Sequence, residues 1–118
     1  MIDPLTVLIV EDEPLIAMML EDFIDELGHR VAGTVDSVDD ALARVHEGGF
    51  DLVILDIQLR DGAPSWPVAD ALVERGVSFV VATGGHVEPP PERHADAPIL
   101  SKPFTIEAVK ALLERNPS

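Results

Sequence analysis

The stretch Asp51-Leu52-Val53-Ile54-Leu55-Asp56 decides the fold of this chain, because four consecutive apolar residues lead directly to a carboxylate. A continuous apolar run of this length predicts a strand that is buried on both faces, as strands are in parallel sheets covered by helices. Open α/β sheets carry their chemistry at the carboxyl ends of their strands. Asp56 is therefore predicted to lie at the functional edge of a buried parallel sheet.

Composition limits the kinds of function that this chain can have. Its 118 residues suit one domain with a proper core, so we expect residues 1–118 to form a single domain. Cysteine is absent, which excludes disulfides, thiolate metal sites and cysteine nucleophiles. The net charge of -14, from 22 acidic and 8 basic residues, argues against binding to nucleic acid or to an anionic membrane surface. A metal ion or a basic protein partner is the better expectation.

The sequence also predicts where the protein is found. No segment approaches the roughly 18 consecutive apolar residues of a membrane-spanning helix. The first residues include Asp3 and Pro4 and lack the basic start and apolar run of a signal peptide. Together with the absence of cysteine, this pattern predicts a cytoplasmic protein.

Strand and helix patterns alternate along the chain. Strands are predicted at Leu5 to Val10, Arg30 to Val35, Asp51 to Asp56, Val77 to Ala82 and Pro98 to Leu100. Helices are predicted between Pro14 and Gly28, between the cap Ser37 and Gly48-Gly49, across Trp66 to Glu74, and after the cap Thr105. The alternation predicts a doubly wound, flavodoxin-like α/β fold, with a five-stranded parallel sheet in the order 2-1-3-4-5. Pro89-Pro90-Pro91 makes the fourth helix short or irregular.

Polar residues stand at the carboxyl ends of four predicted strands. Glu11-Asp12 follows strand one, Asp56 ends strand three, Thr83 follows strand four and Lys102 follows strand five. Because these strands are neighbours in the predicted order, the five side chains can converge. Each residue alone is more often a turn or cap residue than part of a site. Five suitable residues at successive strand ends favour a functional site.

The chemistry of this set favours a cation and a transferred phosphoryl group. Two carboxylates about 4 Å apart repel by about 4 kcal/mol at an effective dielectric near 20, so positive charge must offset them. Lys102 supplies one charge, and Mg²⁺, which prefers carboxylate and water oxygens, could supply two more. A carboxylate beside such a cation can attack phosphorus and become an acyl phosphate. A hydroxyl such as Thr83 could then bind the phosphoryl oxygens.

Four segments carry a resemblance to a known family: Val10-Glu11-Asp12-Glu13, Asp51 to Asp56, Thr83 and Lys102-Pro103-Phe104. Through them the chain resembles the receiver domains of response regulators over essentially its whole length. The resemblance implies that Asp56 accepts a phosphoryl group from a histidine kinase or a histidine phosphotransfer protein. It implies that Thr83 and Lys102 engage the phosphoryl oxygens. It also implies an Mg²⁺ ion held by Glu11, Asp12, Asp56 and the backbone carbonyl of Gln58.

Departures from the family pattern concern the output of the domain. Ile99 stands three positions before the lysine, where receivers usually carry an aromatic switch residue. Arg60 stands four positions after the phosphoacceptor, where they usually carry a proline. The stretch from Phe79 to Gly85, FVVATGG, resembles the Phe-Ala-Thr-Gly (FATGUY-type) subfamily. We hypothesise that phosphorylation draws Thr83 towards the phosphate and orders or repositions residues 84–97. The alternative is that output lies on the first or the last helix.

For two histidines and the one tryptophan the sequence supports only weaker predictions. His86 and His94 fall in the proline-rich segment and could be pH-sensitive or metal-binding, but solvated loop histidines are the more common case. Trp66 is expected to pack at the start of the third helix and to report on ligand binding by its fluorescence.

The leading interpretation is a stand-alone receiver of a two-component or phosphorelay pathway. It would catalyse only its own phosphorylation and dephosphorylation, and would signal by binding an unknown downstream protein or by passing the phosphoryl group onward. We expect a monomer, with a dimer on phosphorylation as an open alternative. A pseudo-receiver that signals without phosphorylation is the first rival.

An α/β enzyme is the second rival, and two features of the sequence argue against it. A dinucleotide-binding enzyme needs a glycine-rich turn after strand one, where Glu11-Asp12-Glu13 stands. A phosphohydrolase usually carries a catalytic acid beside its nucleophilic aspartate, where Gln58 stands.

Overall fold

Five parallel strands form the sheet of this computed structural model, which describes residues 4–57, 59, 64–83, 92–94, 97–101 and 104–115. The strands are β1 (Thr6–Val10), β2 (Arg30–Val35), β3 (Leu52–Asp56), β4 (Ser78–Thr83) and β5 (Ile99–Ser101). Their order, β2-β1-β3-β4-β5, confirms the predicted doubly wound sheet. The chain reverses its direction of winding between β1 and β3, and ligands bind at such a switch point.

Helices α1 (Pro14–Glu26), α2 (Val38–Glu47), α3 (Trp66–Glu74) and α4 (Ile106–Arg115) connect or follow the strands. Between β4 and β5 the described residues form a 3-10 turn at Glu92–His94, as the proline run predicted; residues 84–91 and 95–96 lie outside the described part. Two predicted caps are confirmed. The backbone N–H of Asp40 donates to Ser37 Oγ at 3.1 Å, and that of Ala108 donates to Thr105 Oγ1 at 3.1 Å.

The core has two halves because side chains of a strand alternate between the faces of the sheet. On one face, β1 and β3 pack against α1 and α4 through Val7, Ile9, Leu20, Leu52, Ile54 and Leu113. On the other face, they pack against α2 and α3 through Leu8, Val10, Val45, Val53, Leu55 and Leu72. Every residue of β3 is buried, as its apolar run predicted. Among the described residues, no helix is long and apolar enough to cross a membrane.

Strand β4 begins one residue later than predicted, and the end of α3 gives the reason. The N–H of Val77 donates to the carbonyl of Leu72 at 3.0 Å, and the N–H of Gly76 donates to that of Val73 at 3.1 Å. Gly76 has φ 70°, so these bonds make a Schellman cap. Val77 therefore belongs to the helix end and cannot begin the ladder. At its other end β4 includes Thr83, which pairs with Ser101 of β5.

Candidate functional site

Three carboxylates converge at the carboxyl edge of the sheet. One oxygen from each of Glu11, Asp12 and Asp56 lies within 4.8 Å of the other two. The register of the sheet produces this, because Val10 of β1 pairs with Leu55 of β3 and the next residues stand side by side. Glu11 continues the line of β1 by donating its N–H to the carbonyl of Val35 at 2.9 Å. The predicted convergence of these three acids is confirmed.

The environment of the three acids suits a divalent cation. Glu11 and Asp56 are buried, at 3% and 7% exposure, and Asp12 is half-buried. The N–H of Glu13 donates to Glu11 Oε2 at 3.1 Å, which orients that carboxylate. A set of carboxylate oxygens with access to water is the donor set that Mg²⁺ prefers. These residues therefore fit the predicted magnesium ion in the chemistry of their donors and in their spacing.

A cavity of about 300 Å³ opens beside this acidic group, between the start of α1 and the end of β2. Its acidic lining residues are Glu11, Asp12, Asp36 and Asp40. Clefts lined by charge of one sign raise the local concentration of ions of the opposite sign. The cavity therefore favours the approach of cations to the site.

The other predicted site residues lie partly outside the described residues. Thr83 is the last residue of β4, and its neighbour Ala82 pairs with Asp56, so its backbone stands at the same edge as the acids. The side chain of Thr83 is not among the described parts of the chain. Lys102 directly follows β5, but Lys102 and Gln58 fall outside the described residues. The structure thus brings together the three acids and the backbone of Thr83.

Ser65 contacts the end of β3, a role that the sequence did not suggest. Its side chain is fully buried, and its hydroxyl bonds to the carbonyl oxygens of Asp56 and of Ile57, the latter at 2.8 Å. Its N–H also donates to the carbonyl of Ile57, at 2.8 Å. A serine directly before a helix suggests an N-cap, so spacing alone gives no signal for this contact.

A second polar cluster fastens the 3-10 turn to α3. Arg93 Nε and Nη2 donate to the two oxygens of Asp70 at 2.7 and 3.1 Å, and His94 Nε2 lies 2.7 Å from Asp70 Oδ1. His94 also stacks on Trp66, with ring centroids 5.6 Å apart, and meets Phe79 edge-on at 5.7 Å. We call these five residues the turn cluster. The prediction that His94 is a solvated loop histidine is wrong, because its exposure is 4%.

Charge pairing in the turn cluster perturbs its carboxylate. The hydrogen bonds from Arg93, and next from His94, lower the pKa of Asp70 from 3.8 to about 2. The same contact with Asp70 raises the pKa of Arg93. The pairing therefore keeps Asp70 ionised to a lower pH than an isolated carboxyl group. The expected packing of Trp66 at the start of α3 is confirmed, and its partner is His94.

Comparison with known proteins gives a consistent result. The model of the response regulator receiver domain family matches residues 7–86. The solution structure of SdrG from Sphingomonas melonis Fr1 is 53% identical, covers 97% of this chain and 97% of that one, and has a TM-score of 0.85. Two regulators named PhyR are more distant relatives.

The phyllosphere-induced regulator PhyR of Methylorubrum extorquens is 34% identical over 119 residues, which are 92% of this chain and 42% of that protein. The crystal structure of the anti-anti-sigma factor PhyR from Bartonella quintana is 32% identical, covers 95% of this chain and 46% of that one, and has a TM-score of 0.77. This chain spans about half the length of the curated relatives it matches.

Proposed function

This chain belongs to the response regulator receiver domain family, and from that premise we propose that it accepts a phosphoryl group on Asp56 with Mg²⁺ bound beside it. Receiver domains are regulators and not classical enzymes. The observation that carries the proposal is the approach of the Glu11, Asp12 and Asp56 carboxylates to within 4.8 Å of one another. Two of these carboxylates are buried, and three negative charges this close are costly unless a cation lies between them.

In the proposed reaction an Asp56 oxygen attacks the phosphorus of a phosphohistidine. The new O–P bond makes an acyl phosphate, the P–N bond breaks, and the departing imidazole takes up a proton. Bound Mg²⁺ would neutralise charge on the acids and on the transferred group. Glu11, Asp12, Asp56 and the carbonyl of Gln58 are the proposed ligands of the ion. Thr83 and Lys102 are proposed to bind the phosphoryl oxygens and so to stabilise the charge that develops on them.

The proposed phosphoryl donor is a histidine kinase or a histidine phosphotransfer protein, and the proposed output is binding to a further protein. The relative from Bartonella quintana is named an anti-anti-sigma factor, so an anti-sigma factor is one candidate for that further protein. This chain covers 46% of that relative. The anti-sigma factor is therefore proposed only as a partner in the same pathway, and the activity of the whole relative is not carried over. We also assign the chain to the Phe-Ala-Thr-Gly subfamily, on the residues from Phe79 to Gly85.

The proposed output element is the segment 84–97 between β4 and β5. Its described turn, Glu92–His94, is held against α3 by the turn cluster, which supports a defined docked state for this part of the segment. Phosphorylation would shift that state through the adjoining end of β4. Amide exchange before and after phosphorylation tests this, with a change in protection expected between residues 84 and 97. Unchanged protection there would place the output on another surface.

A mass measurement tests the phosphoacceptor proposal. The protein is incubated with acetyl phosphate and Mg²⁺, and its intact mass is followed. We expect one phosphoryl adduct, absent from Asp56→Ala and absent when EDTA replaces Mg²⁺. No adduct in a wild-type protein that binds Mg²⁺ would favour the pseudo-receiver, which Ile99 in place of the aromatic switch residue supports.

A further inference from the structure

One buried side chain holds the backbone of β3 where it ends at Asp56. The carbonyls of Asp56 and Ile57 both face the hydroxyl of Ser65, which is 0% exposed. The carbonyl of Ile57 also accepts the N–H of Ser65 at 2.8 Å, while the N–H of Ile57 donates to Ala82 of β4 at 3.3 Å. The peptide groups on either side of Ile57 are therefore fixed by Ser65 and by β4.

Ser65 stands at the N-cap of α3 but does not use its side chain as a cap. An N-cap hydroxyl ordinarily accepts a hydrogen bond from an N–H in the first turn of its helix. The Ser65 side chain makes no such bond, although its carbonyl accepts the N–H groups of Val68 and Ala69 at 2.9 and 3.2 Å. The backbone of Ser65 begins α3, whereas its hydroxyl bonds to carbonyl oxygens at the end of β3. Ser37, at the N-cap of α2, shows the ordinary arrangement.

We propose that Ser65 is a positioning residue for phosphoryl transfer to Asp56, an inference that rests on the proposed function. By fixing the carbonyls of Asp56 and Ile57, Ser65 sets the direction from which the Asp56 carboxylate enters the group formed with Glu11 and Asp12. It also fixes the two residues that lead to Gln58, whose carbonyl is a proposed Mg²⁺ ligand.

Loss of the Ser65 hydroxyl is expected to impair both the binding of Mg²⁺ and the transfer of the phosphoryl group to Asp56. Substitution of a residue that hydrogen-bonds to a metal ligand typically lowers metal affinity or activity by about 10- to 100-fold. A small misplacement of a reacting group has effects of similar size on the rate. We therefore expect slower transfer and weaker Mg²⁺ binding together, whereas a purely structural serine would change neither in the folded protein.

The test compares the wild type with Ser65→Ala, Ser65→Cys and Ser37→Ala. Acetyl phosphate transfers its phosphoryl group to an Asp56 oxygen, its P–O bond breaks and acetate leaves, so the rate is read from the intact mass over time. Ser65→Cys keeps the size of the side chain and weakens its hydrogen bond. Ser37→Ala removes the same hydroxyl from the N-cap of α2, where it accepts the N–H of Asp40. Thermal unfolding and Mg²⁺ titration are measured on each protein.

The proposal expects both Ser65 variants to react about 10- to 100-fold more slowly and to need more Mg²⁺ for half-maximal rate, while Ser37→Ala loses stability alone. Wild-type rates and Mg²⁺ affinity in the two Ser65 variants would overturn it. Failure of both variants to fold where Ser37→Ala folds would also overturn it, since Ser65 would then be structural. If the wild type itself forms no adduct, the proposed function fails first, which is a distinguishable outcome.

Discussion

Replacing Asp56 by Asn should stabilise the metal-free protein, because it removes one of three close negative charges. At 4.8 Å a pair of unit charges repels by about 0.9 kcal/mol at a dielectric constant near 80 and by about 3.5 kcal/mol near 20. Asp56 faces two partners, Glu11 and Asp12, so the repulsion removed lies between about 2 and 7 kcal/mol. Since Asp12 is only half-buried, we expect a gain near the lower end, about 2 kcal/mol.

Urea unfolding followed by the fluorescence of Trp66 measures this effect, first in EDTA and then in excess Mg²⁺. A ligand that binds only the folded state at one hundred times its Kd stabilises it by about 2.7 kcal/mol, so Mg²⁺ should raise the midpoint of the wild type. The Asn variant should start higher and gain less. An unchanged m-value shows that the change is one of stability.

Asp51→Asn is the matched control, because it removes the same charge from the opposite end of β3. The carboxylate of Asp51 is exposed and accepts the N–H of Thr6 at 3.0 Å, so its loss should not stabilise the protein. An Asp56→Asn variant that is no more stable than the wild type in EDTA, and that gains as much from Mg²⁺, would contradict the predicted charge repulsion.

Three further predictions concern the scaffold. Leu5 donates its N–H to Nδ1 of buried His29 at 2.9 Å, so His29→Leu should lower the free energy of unfolding by about 1–3 kcal/mol. His29→Asn, which keeps an acceptor, should lose less, and equal losses in urea unfolding would contradict this. The Asp70 carboxylate stabilises the fold above its ordinary pKa of 3.8, and this contribution disappears as the pH falls to about 2. Thermal unfolding of the wild type and Asp70→Asn should therefore differ at pH 6 and converge near pH 2; a constant difference would contradict the pairing. Gly76→Ala should lower stability by about 1–2 kcal/mol in urea unfolding, since Gly76 has φ 70°. A methyl group added there meets no atom within 4 Å, so the loss is expected from the positive φ and not from crowding. Unchanged stability would contradict this cost of the positive φ.

The order of the strands and the three acids could be predicted because they depend on local patterns. The apolar run before Asp56, the proline that starts α1 and the serine that caps α2 each act within a few residues. Once the order of the strands is known, their polar ends must meet at one edge. Glu11, Asp12 and Asp56 were therefore predictable from the sequence as one group.

Contacts between distant segments could not be predicted in the same way. Asp70 and His94 are separated by 24 positions, and their contact depends on how the turn packs on α3. Ser65 precedes a helix, so its sequence position suggests a cap, and only the structure shows its hydroxyl turned towards β3. The sequence pattern predicts the start of β4 one residue early, since it does not show that the N–H of Val77 is used by the helix cap at Gly76.

We propose that Asp56 itself, and no other carboxylate of the site, carries the phosphoryl group. Borohydride reduces an acyl phosphate to an alcohol, so it converts a phosphorylated aspartate to homoserine and leaves a free carboxylate unchanged. The protein would be treated with acetyl phosphate and Mg²⁺, reduced, digested and sequenced by mass spectrometry. Homoserine is expected at position 56 and at no other acidic residue, and none is expected when EDTA replaces Mg²⁺. Reduction at Glu11, at Asp12 or at no position, in a protein that binds Mg²⁺, would contradict it.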